Sequence, residues 1–424
     1  MKPRTLPLVA LCFALLALAA GAADWPGFRG PDGSGVSADK GVPVKWSDDE
    51  NLVWKAALPG PGGSSPVVWG DRVFVTCYTG YGIPGERGGD QKDLERHLVC
   101  VDRKKGKILW DKAVKAKLPE ASYRPPFITL HGYASSTPVT DGKLVYVFFG
   151  KSGVFAFDFG GKQIWQADVG TGTDGWGSAT SPVLYKDLVI VNASVESGAL
   201  IAFSKKDGEK KWTSPGVRRA WDSPVLVDAG GGKQEVVVRV PRSLLGIDPD
   251  TGKQLWHFDR FRDGYVCPTA VGKGGVVYSL GGRFEGMAAA VKAGGKGDVT
   301  KTHEVWSKKL GVPIPSPALS GDLLCWVSDS GTATCVKAKD GEKVYEKRLD
   351  RSGTLYASLT VAGDKMYAVS REKGTFVLAA GPKFEVLAHN TFAGDKSVFN
   401  GSPAVSDGQL FLRSNKYLYC VGKK

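Results

Sequence analysis

One short motif recurs along the whole chain: a Ser or Thr next to Pro, followed by an apolar, β-rich run. Its eight copies are SSPVV (64–68), STPVT (136–140), TSPVL (180–184), DSPVL (222–226), CPTAV (267–271), PSPAL (315–319), ASLTV (357–361) and GSPAV (401–405). Aligned on the proline position, where the seventh copy has Leu359, the steps are 72, 44, 42, 44, 49, 42 and 44 residues. A fixed period of this length indicates repeated supersecondary units packed side by side. The long first step predicts an insertion in the first repeat.

A second signature, a Gly-Lys or Gly-Glu-Lys turn followed by an aromatic residue, recurs out of phase with the first. Its copies are DRKKGKILW (102–110), DFGGKQIW (158–165), SKKDGEKKW (204–212), IDPDTGKQLW (247–256), KDGEKVY (339–345) and the stretched GKGDVTKTHEVW (295–306). The Asp and Gly of IDPDTGKQLW also resemble the start of a calcium loop. Its Gly, however, stands fifth instead of sixth, and the twelfth position is Asp259 instead of Glu. The pattern therefore predicts a hairpin turn, with Asp bonding its own backbone and Gly accepting positive φ.

Each repeat holds four β segments, as in ASSTPVT, KLVYVFF, GVFAFD and KQIWQAD of the second repeat. The predicted fold is all-β: an eight-bladed β-propeller of four-stranded blades, formed as one domain by residues 24–424. The last repeat ends after its third strand, so ENLVWKAAL (50–58) is expected to complete the last blade and close the ring. The aromatics that close the repeats are predicted to wedge between blades; they are Trp54, Trp110, Trp165, Trp212, Trp256 and Trp306.

Residues 1–23 have the pattern of a cleavable signal peptide. Lys2 and Arg4 precede the apolar run LPLVALCFALLALAA, and small residues follow up to Ala22 or Ala23. The alternative, a membrane anchor, is disfavoured because the run is short and the small residues follow it directly. The mature chain is therefore expected in the periplasm or outside the cell, without a transmembrane segment.

Charge and cysteine content give weaker constraints. The formal net charge is +13, which favours anionic partners but is also explained by solubility alone. Cys325 and Cys335 flank a short turn and form a candidate disulfide between neighbouring strands. The five histidines show no metal-ligand spacing, and no metal site is predicted. His97 and His131 form a conceivable catalytic pair in the first-repeat insertions, although two surface histidines are the preferred interpretation.

These repeats resemble those of the pyrroloquinoline-quinone (PQQ)-type eight-bladed propellers, and the resemblance covers nearly the whole mature chain. WPGFRGPDGSG (25–35) and SSPVVWGDRVFV (64–75) resemble a secreted subgroup of this superfamily. One branch is the quinoprotein dehydrogenases, which bind PQQ and calcium. The other resembles the propeller subunit of the outer-membrane barrel assembly machinery, which is a non-catalytic scaffold and is usually lipid-anchored.

The chain departs from the dehydrogenase pattern because no adjacent cysteine pair occurs and no calcium-ligand motif matches. The departure from the scaffold branch is smaller, since only a lipid-attachment cysteine is missing after the signal. The resemblance therefore implies a non-catalytic scaffold without a cofactor. A PQQ-dependent oxidoreductase with PQQ and calcium is the alternative.

Topology predicts where such a scaffold binds. The loop before a blade's first strand and the turn between its second and third strands open on the same face. The residues expected on this face are Tyr133, Trp176, Arg218, Arg219, Trp221, Arg262, Tyr265, Arg283, Arg351, Tyr356 and Arg371, with Lys151, Arg242 and Arg413 in further turns. Arginine with aromatic residues suits a protein or an anionic or sugar ligand of the envelope. No nucleic acid is expected, and the chain is predicted to act as a monomer or as a subunit of a larger assembly.

Overall fold

The strands of this chain are arranged as eight blades around a central channel. A computed structural model describes residues 24–86, 89–282, 286–311 and 314–423. The predicted signal peptide and Arg283 lie outside the described residues. Within the described residues the strands form eight sheets, six of four strands and two of five. The eight-bladed all-β prediction is confirmed.

The chain begins with two strands that belong to the last two blades, and the first four blades follow. The early strands are β1 (Val36–Ser37) and β2 (Leu52–Ala57). Blade 1 consists of β3 (Val67–Trp69), β4 (Arg72–Thr79), β5 (Glu95–Asp102) and β6 (Ile108–Lys115). Blade 2 consists of β7 (Val139–Thr140), β8 (Leu144–Phe148), β9 (Val154–Asp158) and β10 (Gln163–Ala167). Blade 3 consists of β11 (Val183–Tyr185), β12 (Leu188–Ala193), β13 (Ala199–Ser204) and β14 (Lys210–Pro215). Blade 4 consists of β15 (Val225–Asp228), β16 (Gln234–Arg239), β17 (Leu244–Ile247) and β18 (Gln254–Phe258).

The remaining blades repeat this order. Blade 5 consists of β19 (Val271–Lys273), β20 (Val276–Leu280), β21 (Met287–Lys292) and β23 (Glu304–Lys309), while β22 (Gly297–Asp298) pairs with β18 of blade 4. Blade 6 consists of β24 (Ala318–Ser320), β25 (Leu323–Val327), β26 (Thr332–Lys337) and β27 (Lys343–Arg348). Blade 7 consists of β28 (Thr360–Ala362), β29 (Lys365–Val369), β30 (Thr375–Ala379) and β31 (Val386–Asn390). Blade 8 consists of β32 (Ala404–Ser406), β33 (Gln409–Arg413) and β34 (Tyr417–Val421) with β2 as its outer strand. Short 3₁₀ turns occupy Gln91–Asp93, Ile128–Leu130 and Gly150–Ser152.

The first motif builds a closed ring of hydrogen bonds at the inner ends of the blades. In each blade one Ser or Thr donates its backbone N–H to the side-chain hydroxyl of the corresponding residue in the next blade, over 2.9–3.1 Å. We call these residues the hydroxyl ring; they are Ser65, Thr137, Ser181, Ser223, Thr269, Ser316, Ser358 and Ser402. Backbone amides that would otherwise be buried without a partner are satisfied in this way.

The ring corrects the alignment of the fifth repeat. The sequence pattern aligns CPTAV on Pro268, but the ring residue of blade 5 is Thr269, followed by Ala270 where six of the other copies have Pro and the seventh has Leu359. The steps between ring residues around this blade are 46 and 47 instead of 44 and 49. The repeat is therefore set by the hydroxyl and not by the proline.

The second motif connects each blade to the next through an indole. The Trp54 Nε1–H of blade 8 donates to the Arg103 carbonyl of blade 1 over 2.7 Å, and a Cβ on Gly106 of that turn would lie 2.6 Å from the indole. Trp110, Trp165, Trp212 and Trp306 make the same contact to the next blade, with N–H···O distances of 2.8–3.0 Å. A register shift between the third and fourth strands lies close to each of these tryptophans. A side chain larger than Gly at this turn would therefore clash with the indole that covers it.

Trp256 departs from this pattern. Its Nε1–H donates to Glu235 Oε2 of the same blade over 2.7 Å, and the ring covers Gly246 on the neighbouring strand. The turn of blade 5 that would receive it is the stretched GKGDVTKTHEVW copy, whose strand β22 instead pairs alongside Trp256. The longer turn therefore does not offer Trp256 the backbone carbonyl and the covered Gly that the other indoles contact.

The N-terminal segment closes the propeller twice. β2 pairs antiparallel with β34, from Leu52 opposite Val421 to Ala57 opposite Tyr417, as predicted. Before that, residues 24–46 cross the face opposite the predicted binding face, and we call them the strap. Trp25 pairs with Val68 of blade 1, and β1 pairs parallel with β28 of blade 7. Between these points the buried Arg29 guanidinium donates to the carbonyls of Ser34 and Pro317, and burial lowers its pKa to about 9.

The structure also joins Cys325 and Cys335 as a disulfide. The two residues face each other directly on β25 and β26, with a Cα–Cα distance of 4.2 Å. The other described cysteines are Cys77, Cys100, Cys267 and Cys420, and all four are free thiols.

We expect Trp54→Ala to lower the free energy of unfolding by roughly 3–5 kcal/mol, because it empties the indole site at the closure between blade 8 and blade 1. Equilibrium urea unfolding followed by circular dichroism measures this change. Leu109→Ala is the control, since Leu109 is 43% exposed on an outer strand and should change stability by less than about 0.5 kcal/mol. Equal effects of the two substitutions would contradict the indole contact between blades.

We expect Ser181→Ala to cost about 1–3 kcal/mol, because it leaves the buried Thr137 N–H without its acceptor. Ser136→Ala is a matched control next to Thr137, since Ser136 Oγ is buried without a hydrogen-bond partner in the described part of the chain. Removing that hydroxyl should be neutral or slightly stabilising. The same unfolding measurement applies, and a neutral Ser181→Ala would show that the ring does not support the fold.

Candidate functional site

The channel opens at the face formed by the loops that precede the inner strands. The residue two positions before each ring hydroxyl lines the channel, because alternate residues of an extended segment point to the same side. This upper tier consists of Gly63, Ser135, Ala179, Trp221, Cys267, Ile314, Tyr356 and Asn400. Together with the hydroxyl ring it forms a cavity of about 190 Å³, which we call the funnel.

The funnel is asymmetric. Blades 1–3 contribute the small residues Gly63, Ser135 and Ala179, whereas the loops that enter blades 4 and 7 carry Trp221 and Tyr356. Above the small residues lie Leu130, His131 and Trp176, which come from the connection out of the first blade and from the loop after the second blade. Phe28 of the strap also lines the cavity and closes it from the opposite face. The funnel is therefore open at one end only.

Aromatic rings at the mouth are held by specific contacts. The Trp221 Nε1–H donates to the Gly177 carbonyl over 2.7 Å, and its ring meets Tyr265 edge to face at 6.4 Å between centroids. Trp176 meets Phe127 edge to face at 5.3 Å. These contacts fix ring orientation, so the wall of the funnel is preformed.

Arg371 connects the mouth of blade 7 to the long connection of blade 1. Its guanidinium lies 4.5 Å from the Tyr356 ring centroid and donates to Asn400 Oδ1 over 3.1 Å and to the Leu130 carbonyl over 2.9 Å. Asn400 also donates to the Leu130 carbonyl, over 2.9 Å. Arg371 therefore holds the wall of the funnel together through contacts with Tyr356, Asn400 and Leu130.

His131 is a neutral member of the funnel wall. Its Nδ1 lies 2.7 Å from Ser135 Oγ, and its ring also bonds the backbone of Trp176. Burial, together with the nearby Arg371 cation, lowers the pKa of His131 to about 4, so the ring is uncharged at neutral pH. On the opposite side, burial raises the pKa of the Cys267 thiol to about 12, with Asp222 adding to the shift. Neither group therefore brings a charge into the funnel.

The lining as a whole is uncharged, although the protein carries a formal net charge of +13. None of the described lining residues is Asp, Glu, Lys or Arg. Hydroxyl, aromatic and aliphatic groups supply most of the described surface, with the Asn400 amide, the neutral His131 ring and the Cys267 thiol.

The exposed arginines instead surround the mouth. Arg218, Arg219, Arg262 and Arg351 lie on the loops between blades 3 and 4, 4 and 5, and 6 and 7, and we call them the arginine collar. Among these four the structure shows one ion pair, from Arg351 to Asp350 at 3.9 Å, with side chains 92% and 94% exposed. Arg219 and Arg351 have φ of 55° and 49°, a conformation that disfavours side chains with a Cβ. Such local strain often marks functional loops.

Three residues assigned to this face by topology are buried instead. Tyr133 is 5% exposed, donates to the Ala121 carbonyl over 2.6 Å and packs edge to face on Tyr78. Arg413 is fully buried and donates to Ser64 Oγ and the Thr76 carbonyl, each over 2.6 Å, which ties blade 8 to blade 1. Lys151 is buried with its Nζ on the Pro119 carbonyl. Their polar groups therefore hydrogen-bond to the first-repeat insertion or join blades 8 and 1. They do not form part of an open surface.

The two histidines singled out in the sequence do not meet. His97 is 7% exposed and lies between Thr79 Oγ1 at 2.8 Å and Asp111 Oδ1 at 2.9 Å, on three adjacent strands of blade 1. Since His131 instead bonds Ser135, the paired interpretation is wrong, and the surface interpretation is wrong for His97. No spacing rule links Thr79, His97 and Asp111, because cross-strand neighbours depend on register.

The funnel does not fit the cofactor of the alternative function. PQQ is a polycarboxylate, and the described lining offers no cation to pair with it. Across the described ranges, no three His, Cys, Asp or Glu side chains come together in a way that could hold a metal ion.

Solved structures with this architecture include BamB from Moraxella catarrhalis, with a TM-score of 0.61 at 14% identity over 88% of this chain and 97% of that chain. Quinohemoprotein alcohol dehydrogenase from Comamonas testosteroni gives a TM-score of 0.64 at 12% identity, over 96% of this chain and 82% of that one. The computationally designed Ika8 protein gives 0.59 at 11% identity, over 88% and 99% of the two chains. At these identities the likeness shows the fold alone.

Sequence comparison goes further. A curated relative, outer membrane protein assembly factor BamB of Burkholderia pseudomallei (strain K96243), is 25% identical over 337 residues, which is 76% of this chain. The match spans 65% of the length of that relative. Among the described residues, no helix has the length and apolar character needed to cross a bilayer. The family profile described as outer membrane protein assembly factor BamB matches residues 91–221 and 241–381, more than half of the chain. The chain therefore belongs to the outer membrane protein assembly factor BamB family.

Proposed function

We propose that this protein is a non-catalytic scaffold of the cell envelope that docks an acidic protein surface through the arginine collar. Membership of a family named for outer membrane protein assembly supports an assembly role. The predicted signal peptide supports a periplasmic or secreted location. The name of the family also supports work within a larger assembly.

The observation that carries the proposal is the collar itself. Four arginines lie exposed at one mouth, on three of the interblade loops, and two of them hold strained backbone. Guanidinium groups bind carboxylates through paired hydrogen bonds, and an exposed ring of one sign attracts a partner of the opposite sign. The rigid blades beneath keep the loops at fixed spacing. The collar therefore suits recognition of a folded partner better than chemistry at a single centre.

We expect the combined variant Arg218→Glu, Arg219→Glu, Arg262→Glu and Arg351→Glu to lose tenfold or more of its captured partner, about 1.4 kcal/mol or more of binding energy. Cross-linked pull-down from envelope extract at physiological salt, with quantitative mass spectrometry, measures recovery of outer-membrane assembly proteins.

The control variant reverses the same number of charges on the outer strands and turns, at Lys210, Lys253, Lys308 and Lys347, which are all exposed. It should recover as much partner as the wild type. Equal recovery by both variants, or equal loss by both, would contradict docking through the collar. Thermal melting of each variant checks that the propeller is intact.

A further inference from the structure

We propose that the funnel binds one uncharged sugar ring, a function separate from protein docking on the collar. The first observation concerns the hydroxyl ring, which forms the inner end of the funnel. Each hydroxyl of the ring accepts a backbone N–H from the preceding blade. Within the described part of the chain, the structure gives none of their hydroxyl hydrogens an acceptor. These side chains are at least nine-tenths buried, with exposures of 1–7%.

The inner end of the funnel therefore presents a ring of O–H donors, each with a further lone pair that can accept. Groups that both donate and accept pair best with other hydroxyls or with amides. A ligand that presented only apolar surface here would leave buried donors without partners, at a cost of binding affinity. Hydroxyl groups of the ligand are the natural counterpart.

The second observation concerns the aromatic residues of the funnel wall. Trp221 and Tyr356 line the wall at blades 4 and 7, Tyr265 stands against Trp221, and Trp176 lies above the small residues of blades 1–3. Their ring planes offer apolar faces against which the C–H face of a sugar packs, while its hydroxyls point to the hydroxyl ring. The lining at blades 1–3 has only the small side chains of the upper tier, Gly63, Ser135 and Ala179. Space is tight between the first two, since a Cβ on Gly63 would lie 3.1 Å from Ser135 Oγ.

The charge of the lining and the volume of the funnel restrict the class of ligand further. With no charged residue in the described lining, a carboxylate or ammonium group would be buried without a counter-ion, which is strongly unfavourable. The cavity of about 190 Å³ is smaller than the ~300 Å³ at which pockets for drug-sized ligands begin. One sugar ring fits inside the funnel, and any second ring would lie at the open mouth. An aromatic side chain has the right size but cannot satisfy the hydroxyl ring, so the observations favour a sugar.

Titration with N-acetylglucosamine, methyl α-glucoside and maltose, followed by tryptophan fluorescence and calorimetry, tests the proposal. At least one of these neutral sugars should give a saturable signal, with a dissociation constant of about 1 mM or tighter. Trp221→Ala should weaken this binding at least tenfold. Ala179→Phe, which fills the open side of the funnel, should abolish it while thermal melting stays close to that of the wild type.

Trp69→Ala is the matched control, because Trp69 is half-buried at a cavity on the opposite face and should leave sugar binding unchanged. The proposal is overturned if none of the three sugars gives a saturable signal. It is also overturned if N-acetylphenylalanine amide or PQQ saturates the funnel and the sugars do not compete. Because the collar variant keeps the funnel lining intact, it should bind sugar normally. Loss of sugar binding alone would leave the docking proposal untouched.

Discussion

The structure depends on one interaction repeated around the channel: a backbone N–H of one blade bonded to a hydroxyl of the next. Blade starts converge at the axis, where water cannot reach every amide, so each needs a protein acceptor. A short Ser or Thr side chain supplies it without filling the channel. The indole contacts provide a second, outer connection between most blades, and their turn glycines are fixed by the same packing. Both sequence motifs are thus contacts between neighbouring blades.

This division explains how far sequence reasoning could go. Features repeated in every blade were predictable, including the four-stranded units, the blade number and the use of ENLVWKAAL as the closing strand. The fifth blade was misaligned because Pro268 matched the visible pattern, whereas Thr269 makes the bond. Trp256 could not be assigned either, since its site depends on the length of a turn in the next blade. Departures from the repeat require the neighbouring blade to be known.

The candidate site shows the same limit. Trp176, Trp221, Tyr265 and Tyr356 were placed at the channel mouth by topology, and the structure brings them together in one lining. Tyr133 and Arg413 were placed there by the same rule but are buried, because residue type does not reveal which loops are covered by an insertion. Sequence reasoning does not single out the smaller members of the upper tier, such as Gly63, Ser135 and Ala179, although they too lie two residues before a ring hydroxyl. The residue two positions before each ring hydroxyl is therefore the place to look in related chains.

The pairing of β2 with β34 joins residues from opposite ends of the chain. Contacts so distant in sequence must overcome a large loop-closure entropy and form slowly. The last blade stays one strand short until β2 and β34 are both present. A chain with this topology cannot complete its last blade before β34 has been synthesised. Closure of the propeller is therefore a late step of folding.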